Sequence, residues 1–159
     1  MKIKFLILIG MLVNIQSFSQ ITDEYFKVTS ATSQGWSGGA YGSGSGINYY
    51  FYIAFNKDVK IRFDSVWITN ENSFPLTIPN TSVQDSSRRY KYGENISLFA
   101  EEYFPGERDY HNGIYEEEKK GSLPPINFKG AALIRFYVNN KPYYYTIDEM
   151  QNLAPIAYP

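Results

Sequence analysis

The chain contains no cysteine and a single histidine, His111. The first absence excludes disulfides, thiol chemistry and a lipid carried on a cysteine beside a processing site. The second leaves a zinc shell to be completed by carboxylates alone, and leaves any serine nucleophile without an evident base. Neither sign of charge dominates, with 15 Lys and Arg against 16 Asp and Glu. The cluster Arg88, Arg89 and Lys91 is too small for an electrostatic footprint, so no nucleic-acid partner is expected. Sustained helical periodicity is also missing. Only "DEMQNL" at 148–153 reads as one helical turn, with Asp148 able to cap it and Glu149 in its first turn.

The most apolar stretch, residues 5–13, lies within the opening "MKIKFLILIGMLVNIQSFSQ". Lys2 and Lys4 precede it, and the small residues Ser17 and Ser19 follow at peptidase spacing, the order of a secretory signal. A spanning helix needs roughly 20 apolar residues, so this segment reads as a signal peptide over 1–19 and not as a retained membrane anchor. Its removal leaves a single domain of about 140 residues over 20–159. The expected location is periplasmic or extracellular.

What the chain has in excess is aromatic: 15 Tyr and 11 Phe. Such residues favour pleated, half-buried surfaces. In "INYYFYIAF" at 47–55, Ile47, Tyr49, Phe51, Ile53 and Phe55 share one face, while Tyr50 and Tyr52 lie on the other. "NKD" separates this run from "VKIRFDSVWIT", and the two read as a hairpin. Its second strand alternates until Asp64. Apolar Val66 and Ile68 then join the polar face, so that end is expected to be covered on both sides, with Trp67 in the core. A weak edge strand is expected around Phe74, Leu76 and Ile78, because prolines 75 and 79 cannot donate to a ladder. "RRYKY", "GEN" and "ISLFAEEYF" suggest a second hairpin, and "GAALIRFYV", "NNKP" and "YYYTI" a third. "EYFKVTSAT" adds a strand near the start, and 105–125 reads as a long, exposed, charged loop. Seven or eight short strands joined by turns predict an antiparallel, immunoglobulin-like β-sandwich, with a small β-barrel as the alternative.

Glycine is concentrated in "GWSGGAYGSGSG" at 35–46. Ser37 stands between Gly35 and Gly39 as in a nucleophile elbow, but no helix pattern follows it and no histidine is near in sequence. A dinucleotide fingerprint needs a third glycine where Ile47 stands, and a phosphate loop needs a lysine where Ser45 follows Gly44. No catalytic residue and no cofactor is therefore assigned. The run is either a backbone track extending the following strand or a flexible connector. Residues 107–118 echo a calcium loop only faintly, with Glu107 at the first position, His111 at the fifth and Gly113 one place late, so no metal site is assigned. Adjacent Glu101 and Glu102 point to opposite faces of a strand and do not pair by themselves.

The positive expectation rests on rings. Tyr50 and Tyr52 face away from the core, and Trp36 and Tyr41 sit where little local packing would bury them. Such rings combine apolar area with a polar edge and serve to stack on sugars or anchor a protein. The expected function is an exported, non-catalytic binding or structural module contacting a glycan or protein through these four residues and the Gly-rich stretch. The alternative is a secreted hydrolase, such as a glycosidase, using carboxylates gathered from several strands and the long loop.

Together, the signal ending in Ser-Phe-Ser-Gln, "ATSQGWSGGAYGSGSGINYYF", "FDSVWI" and "GAALIRFYVNNKPYYYTI" resemble uncharacterised small exported β-proteins of Gram-negative bacteria. The resemblance covers most of the mature chain and implies no reaction, ligand or catalytic residue.

Overall fold

The computed structural model describes residues 23–68, 72–79, 88–107 and 121–159, and these form an all-β structure. Its strands are β1 (Phe26–Ser37), β2 (Ser45–Phe55), β3 (Val59–Ile68), β4 (Ser73–Pro75), β5 (Arg89–Tyr90), β6 (Asn95–Phe104), β7 (Ala132–Val138), β8 (Lys141–Ile147) and β9 (Gln151–Ala157). One sheet has the order β6-β2-β1-β9, the other β4-β3-β7-β8 with β5 paired to the start of β3. The sheets do not close into a barrel, so the barrel alternative falls. The described residues form nine strands, where seven or eight were expected. Pairing is not wholly antiparallel either, because β9 runs parallel to β1. The proposed signal at 1–19 and residues 108–120 of the charged loop, His111 included, lie outside the described residues.

The two sheets enclose one main core. Phe51, Ile53 and Phe55 of β2 meet Ile61, Phe63 and Val66 of β3 and Ile134 and Phe136 of β7, all buried. Its centre is aromatic. Phe26 meets Phe136 edge to face with centroids 5.0 Å apart, and Phe55 stacks on Tyr90 at 4.3 Å. Each such side chain contributes about 1.5–3 kcal/mol when fully buried. The alternating face of β2 is thus core, as its period of two requires.

Strand partners are a different matter. The expected hairpin of β2 with β3 does not form: β2 lies between β1 and β6, whereas β3 lies in the other sheet. Both strands carry an apolar face, and those faces meet across the core instead of lying side by side. The expected hairpin of β5 with β6 fails in the same way, since β5 pairs with β3 and β6 with β2. The turn between them is fastened by Asp58, which accepts from the Tyr92 amide at 2.9 Å and from Lys91 Nζ at 3.0 Å. The β7–β8 hairpin does form. Asn139 and Asn140 occupy its two-residue turn at φ 51° and 63°, the left-handed pair that matches strand twist. "DEMQNL" is not helical; from Gln151 onward it belongs to β9. β4 is the expected edge strand, and Thr77 beyond it exchanges two backbone hydrogen bonds with Phe99 of β6, linking the sheets.

A β-bulge at Asp64 explains the broken alternation of β3. Phe63 pairs with Phe136, but the next pair is Ser65 with Arg135. One extra residue exchanges the faces. Val66 therefore enters the main core, while Trp67 turns outward into a second cluster with Phe128, Leu133 and Tyr144. Trp67 is buried as expected, on the opposite side from Phe63. Its cover is the segment 121–131, and Trp67 Nε1 donates to the Ser122 carbonyl at 2.6 Å. The end of the expected exposed loop is thus a strap packed on the second sheet.

Candidate aromatic binding face

The glycine run is a hairpin tip. Gly35 to Ser37 end β1, Ser45 and Gly46 begin β2, and the Gly38 amide donates to the Gly44 carbonyl at 2.9 Å. The run therefore pairs with itself instead of prolonging β2 backward as a separate track. Trp36 lies opposite Gly46 on β1, and Tyr103 lies opposite it on β6. A Cβ on Gly46 would stand 2.8 Å from Trp36 Nε1 and 2.9 Å from its Cε2. One on Gly44 would stand 2.7 Å from Cε2 and Cζ of Tyr103. Both rings thus rest where side chains are missing. They lie nearly parallel, at 21° with centroids 5.8 Å apart, and Tyr158 meets Trp36 edge-on at 6.1 Å. Covering strand glycines with aromatic rings restores contacts that the bare backbone lacks.

The remaining rows of this face follow from register. Asn48 is flanked by Gln34 and Glu101, Tyr50 by Thr32 and Phe99, and Tyr52 by Ser30 and Ser97. Tyr50 and Phe99 pack at 5.3 Å. The Tyr50 phenol is held above its usual pKa by partial burial and by neighbouring Tyr158, Tyr52 and Glu101. Two polar atoms on the face, Trp36 Nε1 and Asn48 Oδ1, are buried without a hydrogen-bond partner. Leaving a buried donor unpaired costs about 1–3 kcal/mol, so the flat seat of the indole is held against that cost.

Of the four ring residues picked from sequence, the structure brings Trp36, Tyr50 and Tyr52 onto one face. Tyr41 is apart from them, 83% exposed at the hairpin tip. Sequence reading missed Tyr103 and Phe99. The signal was present: in "ISLFAEEYF" they share the phase of Glu101, opposite Leu98 and Ala100, but their neighbours on β2 depend on register.

A second hollow, with a volume of about 480 Å³, opens between the sheets where β1 ends and β9 begins. Ile47, Ile68, Met150 and Pro155 line it with Ser33, Tyr49 and Asn152. The Tyr49 hydroxyl donates to Glu102 Oε2 at 3.0 Å, and burial together with that carboxylate raises the phenol far above its usual pKa. Glu101 lies on the outward face, so the adjacent pair divides as its spacing requires.

No family model, curated protein or solved structure matches this chain. Function must therefore be argued from geometry. One acid-bearing network remains to be placed. Asp64, at the bulge, accepts from Arg135 Nε at 2.7 Å, Arg62 Nη1 at 3.0 Å and the Ser65 hydroxyl at 3.0 Å. Burial alone would raise its carboxyl, but these donors outweigh burial and hold it below the usual carboxylate range. Arg135 also lies over the Trp67 ring at 5.1 Å, which ties this network to the outer cluster. Among the described residues, no group of three or more His, Asp or Glu gathers in a metal-binding arrangement. Ser37 ends a β-strand, and its carbonyl accepts from the Tyr158 amide at 2.9 Å. That setting is not a strand-to-helix elbow.

Proposed function

We propose that this is an exported, non-catalytic module that binds a glycan on the outward face of the β6-β2-β1-β9 sheet. The observation that carries the reading is the pair of rings, Trp36 and Tyr103, laid flat on Gly46 and Gly44. Both rings are half-buried, and the apolar surface they leave in solvent suits the C–H face of a pyranose, whose hydroxyls reach polar neighbours. Tyr50 and Tyr52 continue the surface along β2. A protein anchor more often sits in a fully desolvated pocket, whereas Tyr52 on this strip is 46% exposed. Export rests on the leader at 1–19, and within the two-sheet architecture we assign an immunoglobulin-like arrangement because the chain crosses between the sheets at β2–β3, β5–β6, β6–β7 and β8–β9.

The hydrolase alternative needs two carboxylates facing a shared substrate. Among the described residues, Glu101 and Glu102 face opposite sides, and none of those lining the hollow between the sheets is acidic. Those observations favour binding over hydrolysis.

The test is a glycan array probed with the chain from residue 20 onward and with Trp36→Ala, circular dichroism confirming the fold of each. Binding by the parent that is lost in Trp36→Ala, and kept in Tyr41→Ala, is the expected result. A parent that binds no glycan, or a Trp36→Ala protein that binds as well as the parent, overturns the proposal.

A further inference from the structure

We infer that the ligand of this face is an uncharged, extended, equatorially linked oligosaccharide lying along β2, held by rings at both ends and by polar groups between them. The inference rests on the glycan-binding reading and adds length, direction and charge to it. Length follows from register. The Trp36–Gly46–Tyr103 row and the Thr32–Tyr50–Phe99 row are four residues apart on β2, about 14 Å at strand rise, and Tyr52 lies about 7 Å further. A single sugar ring cannot touch both aromatic rows. A straight chain of equatorially linked rings can, because it presents flat C–H faces along its length.

The row between them supplies the hydrogen bonds. Gln34, Asn48 and Glu101 stand side by side there; Gln34 Nε2 already donates to the Ala154 carbonyl at 2.8 Å and Asn48 Oδ1 is buried, so the exposed Glu101 carboxylate is the group open to a ligand. A sugar hydroxyl can donate to that carboxylate. Charge selects further. Glu101 is the only ionised group in these three rows and is exposed, with no cation opposite it in register. A uronate or sulfated chain laid along β2 would bring its charges against Glu101 without a compensating cation, whereas a neutral chain meets only an acceptor.

Isothermal titration with glucose, cellobiose and cellohexaose, and with an oligogalacturonate of matching length, tests each element. Affinity is expected to rise sharply between the disaccharide and the hexasaccharide, and the oligogalacturonate is expected to bind at least tenfold more weakly than cellohexaose. Tyr50→Ala, and independently Tyr52→Ala at a position 46% exposed where folding is not at risk, should each weaken cellohexaose roughly threefold to tenfold. The disaccharide, too short to span both aromatic rows, should lose less affinity than cellohexaose in either variant. Glu101→Gln should narrow the gap between the charged and neutral chains.

Glucose binding as tightly as the hexasaccharide overturns the extended site. So does a hexasaccharide indifferent to both tyrosine variants, and an oligogalacturonate that matches cellohexaose overturns the charge argument. In each of these cases a Trp36-dependent glycan site survives. Absence of any saccharide binding defeats the parent reading instead, which keeps the two failures distinct.

Discussion

Replacing Trp67 with phenylalanine tests the idea that a bulge at Asp64 builds a second core on the outer side of the second sheet. Trp67 has no exposed surface and packs against Phe128, Leu133 and Tyr144, with Arg135 over its ring. Phenylalanine keeps most of the apolar volume but removes the donor to the Ser122 carbonyl at 2.6 Å. Losing that bond costs about 0.5–1.5 kcal/mol. The missing part of the indole leaves a void that adds about 1–2 kcal/mol. Together these amount to about 1.5–3.5 kcal/mol, a drop in Tm of roughly 5–14 °C for a domain of this size. A domain stable by about 5–15 kcal/mol survives that loss, so the variant remains foldable and measurable. Thermal unfolding by circular dichroism gives the shift, and limited trypsin digestion at Lys129 reports whether the strap 121–131 loosens. Because Trp36 is the only other tryptophan, fluorescence of the variant also reports the aromatic face alone. A fall in Tm below about 2 °C with unchanged cleavage at Lys129 would refute the claim that Trp67 fastens the strap.

Three further outcomes follow from the geometry. Gly46→Ala would place a Cβ 2.5 Å from the Glu102 carbonyl and 2.8 Å from Trp36 Nε1, so it should destabilise by about 1–3 kcal/mol and shift Trp36 fluorescence; unchanged emission would mean the indole does not rest on Gly46. Tyr145 donates to Asp23 Oδ1 at 2.8 Å, and burial, with that carboxylate, pushes its pKa from 10.0 up to about 12. A raised folded-state pKa gives stability fully present below pH 10 and lost as pH rises toward 12, so Tyr145→Phe should flatten the alkaline fall in urea midpoint between those values. Asp64 has the opposite sign: its carboxyl is held below the ordinary 3.8, so its contribution is present above that pH and disappears as pH falls through the depressed folded value. Asp64→Asn should remove this acid-side dependence, and acid titrations of urea midpoint identical in variant and parent would contradict the network.

The faces of the strands were readable from period-two patterning alone. Tyr49, Phe51, Ile53 and Phe55 are buried and Tyr52 is exposed, as alternation in "YYFYIAF" requires. The edge position of β4 and the Asn139-Asn140 turn were equally legible, because proline's missing donor and asparagine's tolerance of positive φ are local properties. Partnership was not legible. β2 and β3 are consecutive and both amphipathic, a pattern compatible with lying side by side in one sheet or face to face across a core. β9 was invisible for a related reason. "QNLAPIA" carries little alternation and is mostly exposed, since parallel pairing to β1 holds it largely through its backbone.

The candidate site divides along the same line. Sequence by itself determined that Tyr50 and Tyr52 would stand off the core face, because side-chain direction along a strand is set by parity; Trp36 was picked only for lying in the glycine run, and its place on this face came from the pairing of β1 with β2. Parity also decided which of Glu101 and Glu102 could face outward with those tyrosines. Only the tertiary structure decided that β6 lies beside β2, which places Tyr103 over Gly44 and joins Phe99 to Tyr50. Register between strands is a long-range quantity, set by how two sheets bury their apolar faces together, and no local pattern carries it. For the same reason the Asp64 bulge could be noticed as a broken alternation, while its consequence, a buried Trp67 beneath the strap, awaited the packing of residues 55 positions apart.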